Sequence, residues 1–346
     1  MYELKNIKIT AEMLSMIAEI EKFNGLWGAI EKIATKRLLP LKKVSTIESI
    51  GSSNRIEGNK LSDIEIETII SHIDKKSFKT RDEQEVLGYA EVMNIIFDNY
   101  NDIELTDNYI KQLHKILLQY TDKDERHRGE YKTISNSIVA YNSNGEEIGI
   151  VFETATPYET PLKMAELLEW TNKNIKENYI HPLIVIGIFI VIFLAIHPFQ
   201  DGNGRLSRAL TSLLLLKTGY TYIPYSSTES IIEQNKEEYY RTLRQTQLTL
   251  KKSANYDSWL LFFLKTLKEQ KRVLENKLPQ ETNLKLPKLA NDILELFDKK
   301  ANITLNDVTD MLKCNINTAK KSIKSLVEKD YLIKHGTTKG VWYSKR

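Results

Sequence analysis

The sequence predicts a mainly helical protein: a helical bundle carrying one β-hairpin, then a small unit of three helices and a β-ribbon. Three observations carry this. Apolar residues recur at helical spacing over most of residues 10–278. One stretch, around Asn142-Ser143-Asn144-Gly145, reads as two strands joined by a hairpin turn. The segment Pro279 to Pro287, polar and bounded by prolines, reads as a linker before the last unit.

In chain order, Met13, Ile17 and Ile20, then Leu26, Ile30 and Ile33, mark two helices broken at Asn24-Gly25, with Pro40 opening a new segment. Residues 43–57 form the next helix, closing at Glu57-Gly58-Asn59. Residues 62–119 supply three more, and Asp122 to Arg128 is a charged loop. Tyr131–Tyr141 and Glu147–Thr154 are the strands of the hairpin. Such a hairpin on a helical body has an open edge that can pair with an extended peptide. Pro182 to Ile196 is continuously apolar; its 15 residues span about 22 Å as a helix, short of the ~30 Å membrane core, so a helix buried on all sides is predicted. A second apolar run, Ala209 to Leu216, follows. Residues 229–250 and 255–278 close the body as two helices. The tail reads as helices over Leu289–Phe297, Thr304–Leu312 and Ile316–Lys329, with strands Tyr331–Lys334 and Gly340–Ser344 around a Thr337-Thr338 turn.

Composition narrows the function classes. The chain has 346 residues and a formal net charge of +3, too small to demand a polyanionic partner. From Pro279 onward there are 13 Lys and Arg against 8 Asp and Glu, so the basic excess lies in the tail. Cys314 is the only cysteine, which excludes disulfide stapling and a thiolate zinc site and fits a reducing cytoplasm. Met1 to Thr10 lacks a charged start followed by an apolar stretch, so neither a cleavable signal nor a membrane partner is expected.

The chemistry gathers between the two apolar runs, in His197-Pro198-Phe199-Gln200-Asp201-Gly202-Asn203-Gly204-Arg205-Leu206-Ser207-Arg208. The stretch offers a proton acceptor, a carboxylate for a hard cation, a Gly-Asn-Gly turn and two guanidinium groups. Gly202 and Gly204 let the backbone approach an anion and turn its N–H groups inward at a helix start. Arg205 and Arg208 share a face of that helix's first turn, where cations oppose the helix dipole unless an anion is bound.

These residues resemble, without substitution, the Fic motif His-x-Phe-x-(Asp/Glu)-Gly-Asn-Gly-Arg-x-x-Arg of protein adenylyltransferases. The resemblance implies a Fic-type helical bundle with the hairpin as its flap. It implies transfer of AMP from ATP to a Ser, Thr or Tyr hydroxyl of a protein target, with His197 as base, Asp201 holding Mg²⁺, and Gly202, Asn203, Gly204, Arg205, Leu206, Ser207 and Arg208 around the phosphates. Self-modification is implied as well, and association between copies stays open. Gly204 stands where Doc-type phosphotransferases carry lysine. Transfer of another nucleotide or of phosphocholine stays open, as does removal of AMP.

Three further stretches match the family. Ser53-Asn54-Arg55-Ile56-Glu57-Gly58 resembles its inhibitory motif (Ser/Thr)-x-x-x-Glu-(Gly/Asn), which implies that Glu57 pairs with Arg208 and fills the γ-phosphate room, on an inhibitory helix of about residues 43–58. Gly129-Glu130-Tyr131-Lys132 resembles the flap's start, so Asn136, Ser137, Ile138 and Val139 are implied to touch the nucleotide. Tyr239-Tyr240 resembles the pair lining the adenine and ribose pocket; Gln247 departs from the asparagine of some relatives. The tail resembles a winged helix-turn-helix, its helix carrying Lys320, Lys321 and Lys324 and its wing Lys334, His335 and Lys339, which makes DNA a candidate partner and a DNA-binding regulator the alternative reading. The expected division is an N-terminal helical region (1–100), a catalytic core (101–278), a linker (279–287) and the winged-helix domain (288–346).

Overall fold

The computed structural model describes residues 7–71, 80–141, 147–251, 253–278, 288–298, 300, 302–328, 331–336 and 340–345; of 32–37, 122, 138–141, 147–151 and 298 it describes the backbone alone. The chain forms two units, Met1–Glu275 and Asn276–Arg346. The expected linker 279–287 and the turn residues Asn142–Gly145, Thr337-Thr338 and Lys339 lie outside the described residues.

The first unit runs α1 (Ala11–Ile56), α2 (Asp63–Ser71), α3 (Arg81–Asn99), α4 (Asp107–Leu117), β1 (Ile138–Tyr141), β2 (Glu147–Phe152), α5 (Thr160–Glu177), α6 (Pro182–Ile196), α7 (Asn203–Lys217), α8 (Thr228–Gln234), α9 (Lys236–Thr249) and α10 (Asp257–Lys277). The helix α6 is its axis. Leu183 to Ile196 are all buried, because a helix apolar around its whole circumference finds shelter only when covered on every side. The helices α5, α7 and α9 lie against it, and Trp259 of α10 donates its indole N–H to Gly187 O at 2.7 Å. No described helix is long and apolar enough to cross a membrane.

Three elements differ from expectation. The helix α1 runs unbroken for 46 residues through Asn24-Gly25 and Pro40. The buried pair Phe23 and Trp27, one turn apart, packs on Tyr222 and keeps the apolar face continuous across the glycine, so tertiary burial outweighs a local preference worth about 1 kcal/mol. In the hairpin, β1 begins at Ile138, seven residues later than expected from Tyr131. In the preceding segment Lys132 and Asn136 bond to the turn after α6, as described below, instead of to a strand partner. Residues 229–250 form two helices, since Asn235 leaves helical geometry and its side chain bonds back to Ile231 O at 2.8 Å.

The second unit runs α11 (Lys288–Glu295), β3 (Asn302–Thr304), α12 (Leu305–Leu312), α13 (Ile316–Glu328), β4 (Leu332–His335) and β5 (Trp342–Lys345). Its strands form an antiparallel sheet in the order β3-β5-β4, over a core that includes Ile293, Ile303, Val308, Ile323 and Leu326. The three-residue β3 is too short to show an alternation in sequence, and its last residue, Thr304, also caps α12 through a capping box with Asp307.

Candidate active site

The site is the turn between α6 and α7. His197 ends α6 in the left-handed region (φ 52°, ψ 63°), a conformation that costs a non-glycine residue about 1 kcal/mol, and donates its N–H to Phe193 O at 2.9 Å. Pro198 cannot continue the helix. Phe199, fully buried, stacks on the His114 ring at 3.8 Å. His114 is a second anchor: its Nδ1 accepts the Gly129 N–H at 2.9 Å, so Nε2 carries the proton and donates to Asp201 O at 3.0 Å. Asn203 closes the loop, accepting the Phe199 N–H at 2.9 Å and donating to Phe199 O at 2.7 Å. Gly202 caps α7 at φ +77°, and a Cβ there would meet Leu117 at 3.1 Å.

The His197 Nδ1 lies 3.4 Å from Leu194 O, which favours the proton there and leaves Nε2 as the acceptor. Burial lowers its pKa to about 4, with the Lys132 cation adding to the effect. Burial pushes the Asp201 carboxyl up, but Arg205, the Gly202 N–H and Arg81 outweigh it and hold it below the usual carboxylate range. Asp201 accepts from Gly202 N at 2.6 Å and from Arg81 Nη2 at 3.0 Å, and Arg81 also bonds Glu85 at 2.8 Å. Arg205 reaches Glu85 at 3.3 Å and Asp201 at 3.7 Å.

Arg208 faces α1. Its Nε donates to Ser53 Oγ, and its Nη2 to Ser53 O and to Glu57 Oε1, all at 2.8 Å. Burial disfavours its charge, yet Glu57 and the nearby tyrosines reverse the balance and raise its pKa. The Glu57 carboxylate also lies against the first turn of α7: a Cβ on Gly204 would stand 2.1 Å from Glu57 Oε1. An anionic side chain thus occupies the glycine-lined helix start. Arg205 Nε and Nη1 and Arg208 Nη1 are buried without hydrogen-bond partners.

One cavity of about 220 Å³ gathers Glu57, His197, Asp201, Gly202, Asn203, Gly204, Arg205, Tyr239 and Tyr240 on its wall. Tyr239 is buried against Trp259 and Phe262, while Tyr240 is exposed and meets it edge-on at 5.0 Å. Leu206 is buried in the core, and Ser207 donates to Gly204 O at 2.7 Å; neither lines the cavity. Asn136 is also off the wall, bonded to the turn, and Ser137 is half-buried nearby; the side chains of Ile138 and Val139 are outside the described residues. Sequence reading missed Arg244, one turn after Tyr240 on the same helix face and on the cavity wall, as well as His114 and Arg81.

For a divalent cation the described residues offer two carboxylates on the cavity wall, Asp201 and the Arg208-paired Glu57, and no cluster of three or more acidic, histidine or cysteine ligands. Mg²⁺ on a nucleotide takes most of its oxygens from phosphates and water, with one or two carboxylates. The donor set therefore fits a metal that arrives with a polyphosphate.

The chain thus joins a helical bundle, a basic, glycine-lined turn and a flanking hairpin, and comparison with known proteins shows what this arrangement is similar to. Residues 104–215 match the model of the Fic/DOC family, and this stretch of the chain is a Fic domain. A relative, the protein adenylyltransferase Fic of Drosophila grimshawi, is 27% identical over 241 residues. The match covers 69% of this chain and 45% of that protein, so the chain spans less than half of its length. Among solved structures, a Fic family protein from Desulfovibrio desulfuricans shares the fold with a TM-score of 0.61 at 21% identity, covering 98% of this chain and 97% of that one. A Fic domain-containing signaling protein from Bacteroides thetaiotaomicron does so with 0.58 at 22% identity, covering 74% and 94%.

Proposed function

We propose that this chain is a protein adenylyltransferase that transfers AMP from ATP to a Ser, Thr or Tyr hydroxyl, and that Glu57 holds it in an inhibited state. The observation that carries the reading is the Glu57 carboxylate, 2.8 Å from Arg208 and against Gly204: an anion of the chain sits where the terminal phosphates of ATP would. Arg205 Nε and Arg208 Nη1, buried without hydrogen-bond partners, are donors those phosphates could use.

In this mechanism, Tyr239 and Tyr240 offer aromatic faces to the base. The N–H groups at the start of α7 and the two guanidinium groups grip the phosphates. The target hydroxyl, on a segment paired with the flap's edge, attacks the α-phosphorus. His197 Nε2 takes its proton as the new O–P bond forms and the bond to pyrophosphate breaks. Asp201 would hold Mg²⁺, which when bound offsets phosphate charge. The same residues could remove AMP, with Glu57 positioning water; a modified target incubated without ATP separates that activity from transfer.

The test compares the native chain with Glu57→Gly, each given Mg²⁺ and ATP labelled on the α- or the γ-phosphate. Incorporation of the α-label alone, at least about tenfold higher in Glu57→Gly, is expected, with the mass increment of AMP on the target and on the enzyme itself. Incorporation of the γ-label, or no rise in a folded variant, overturns the reading. The increment also separates AMP from another nucleotide or phosphocholine.

We also read the second unit as a winged helix. Its order of helix, strand, two helices and ribbon supports this, and Lys320, Lys321 and Lys324 are exposed on α13, where duplex DNA phosphates could meet them. The sole cysteine, Cys314, suits a reducing cytoplasm.

A further inference from the structure

Four consecutive carbonyls of the catalytic turn are held by two residues of the segment before the flap. Lys132 Nζ donates to Ile196 O at 3.0 Å and Asn136 Nδ2 to His197 O at 3.2 Å. The Lys132 backbone N–H donates to Pro198 O at 2.9 Å, and Asn136 Nδ2 again to Phe199 O at 2.6 Å. A third residue locks the pair. Lys132 Nζ donates to Thr154 Oγ1 at 2.9 Å and to Asn136 Oδ1 at 2.8 Å, while the Thr154 hydroxyl donates to Asn136 Oδ1 at 2.9 Å.

These residues close the base of the hairpin. Ile138 pairs with Phe152 in the β1–β2 ladder, so Asn136 and Thr154 face each other one same-face step below that rung. The ammonium of Lys132 has three donors and makes three hydrogen bonds, with the residue almost wholly buried, so none of its capacity is spare for a ligand. Asn136 likewise spends its amide on the turn, and it is off the cavity wall. Both side chains therefore serve the geometry of residues 196–199, where His197 must keep its left-handed backbone for its ring to reach the cavity.

We propose that Lys132 and Asn136, clasped by Thr154, are positioning residues for His197 and tie the base of the flap to the catalytic turn. The inference rests on His197 being the base of the proposed transfer. Three charged groups face the imidazole: Lys132 from before β1, Glu57 from the end of α1 and Asp201 from the turn itself. Of these only Lys132 lowers its pKa, so loss of the ammonium leaves a directional mark.

The experiment uses the full chain carrying Glu57→Gly, with Lys132→Met, Lys132→Arg and Asn136→Ala added singly. For Lys132→Met, kcat is expected to fall about a hundredfold with KM for ATP within about threefold, and Lys132→Arg to recover most of the loss. By NMR of the His197 ring, Lys132→Met raises the imidazole pKa by about half a unit or more, whereas Asn136→Ala lowers kcat without that shift. A folded Lys132→Met chain with kcat unchanged, or with the imidazole pKa unmoved, overturns the inference. Should Lys132→Met not fold, Asn136→Ala and Thr154→Val carry the kcat comparison, and unchanged kcat in both overturns it equally. An inactive Glu57→Gly parent whose imidazole still answers to Lys132→Met would remove the proposed transfer and leave the clasp standing.

Discussion

Two imidazoles lie in or against the turn, and both are held neutral. Burial lowers His114 and His197 to about 4 each. As pH falls from 6.5 toward 4, the unfolded chain takes up protons that the native chain refuses, so stability is present above 6.5 and is lost as pH approaches 4. The effect amounts to about 3 kcal/mol for each group at most. Urea unfolding at pH 7 and pH 4.5 is expected to show the midpoint falling over this range. For catalysis the sign is opposite to that of an ordinary histidine switch: the base form of His197 prevails throughout, so the transfer rate of Glu57→Gly is expected to be flat between about pH 5.5 and 7.5. An inflection near 6.5 would mean that the imidazole is not buried in the working enzyme. The motif was legible at this scale because its residues are adjacent in sequence. His114 and Arg81 were not, since a lone polar residue on an apolar or charged stretch looks the same whether it anchors a distant loop or faces solvent; Lys132 showed as part of the flap-start motif, but its bonds to the turn did not. Asn136 was assigned to the nucleotide by position along the flap; its hydrogen bonds go to the turn.

Between elements, the second half of α1 meets α8 and the residue Tyr225 before it through polar side chains as well as apolar ones. Ser45 donates to Tyr225 O and Ser49 to Glu229, both at 2.8 Å. Arg55 then grips Glu233 with two bonds, at 2.7 and 3.1 Å, and Asp63 at 2.9 Å. Two residues on stands Glu57. A guanidinium–carboxylate pair of this geometry, half-buried, contributes about 1–2 kcal/mol, which is roughly tenfold in an equilibrium. Arg55→Ala is therefore expected to strengthen Mg·ATP binding about tenfold in the native chain by loosening the end of α1. Calorimetry on the double variant with Glu57→Gly should find nothing added; an equal gain there would mean that Arg55 acts elsewhere. This seam explains why α1 was only partly legible. Its inhibitory segment showed as a motif, but its continuity through Gly25 is supported by aromatic packing against Tyr222, nearly two hundred residues away in the chain. The late start of β1 has a similar origin: Tyr131–Tyr141 read as a strand beside a hairpin turn, and at Lys132 and Asn136 the turn after α6, distant in sequence, takes the hydrogen bonds.

At the scale of the molecule, every group of the site precedes Glu275, and the second unit has a core of its own. The basic excess after Pro279 was visible from composition, whereas the strand β3 that completes its sheet was not. A unit with its own core can in principle fold by itself. A chain ending at Leu278 is thus expected to keep AMP transfer within about twofold of the full chain. On the proposed winged-helix reading, what it loses is affinity for duplex DNA. On α13, Lys324 lies 3.7 Å from Glu328, leaving Lys320 and Lys321 as the stronger phosphate contacts. Two or three such contacts predict that the logarithm of affinity falls with the logarithm of salt at a slope of about −2 to −3, measured on the full chain by titration at several salt concentrations. Absent or salt-insensitive binding would assign the unit to protein contacts instead, because a lysine face that releases no counterions is not reading a polyanion.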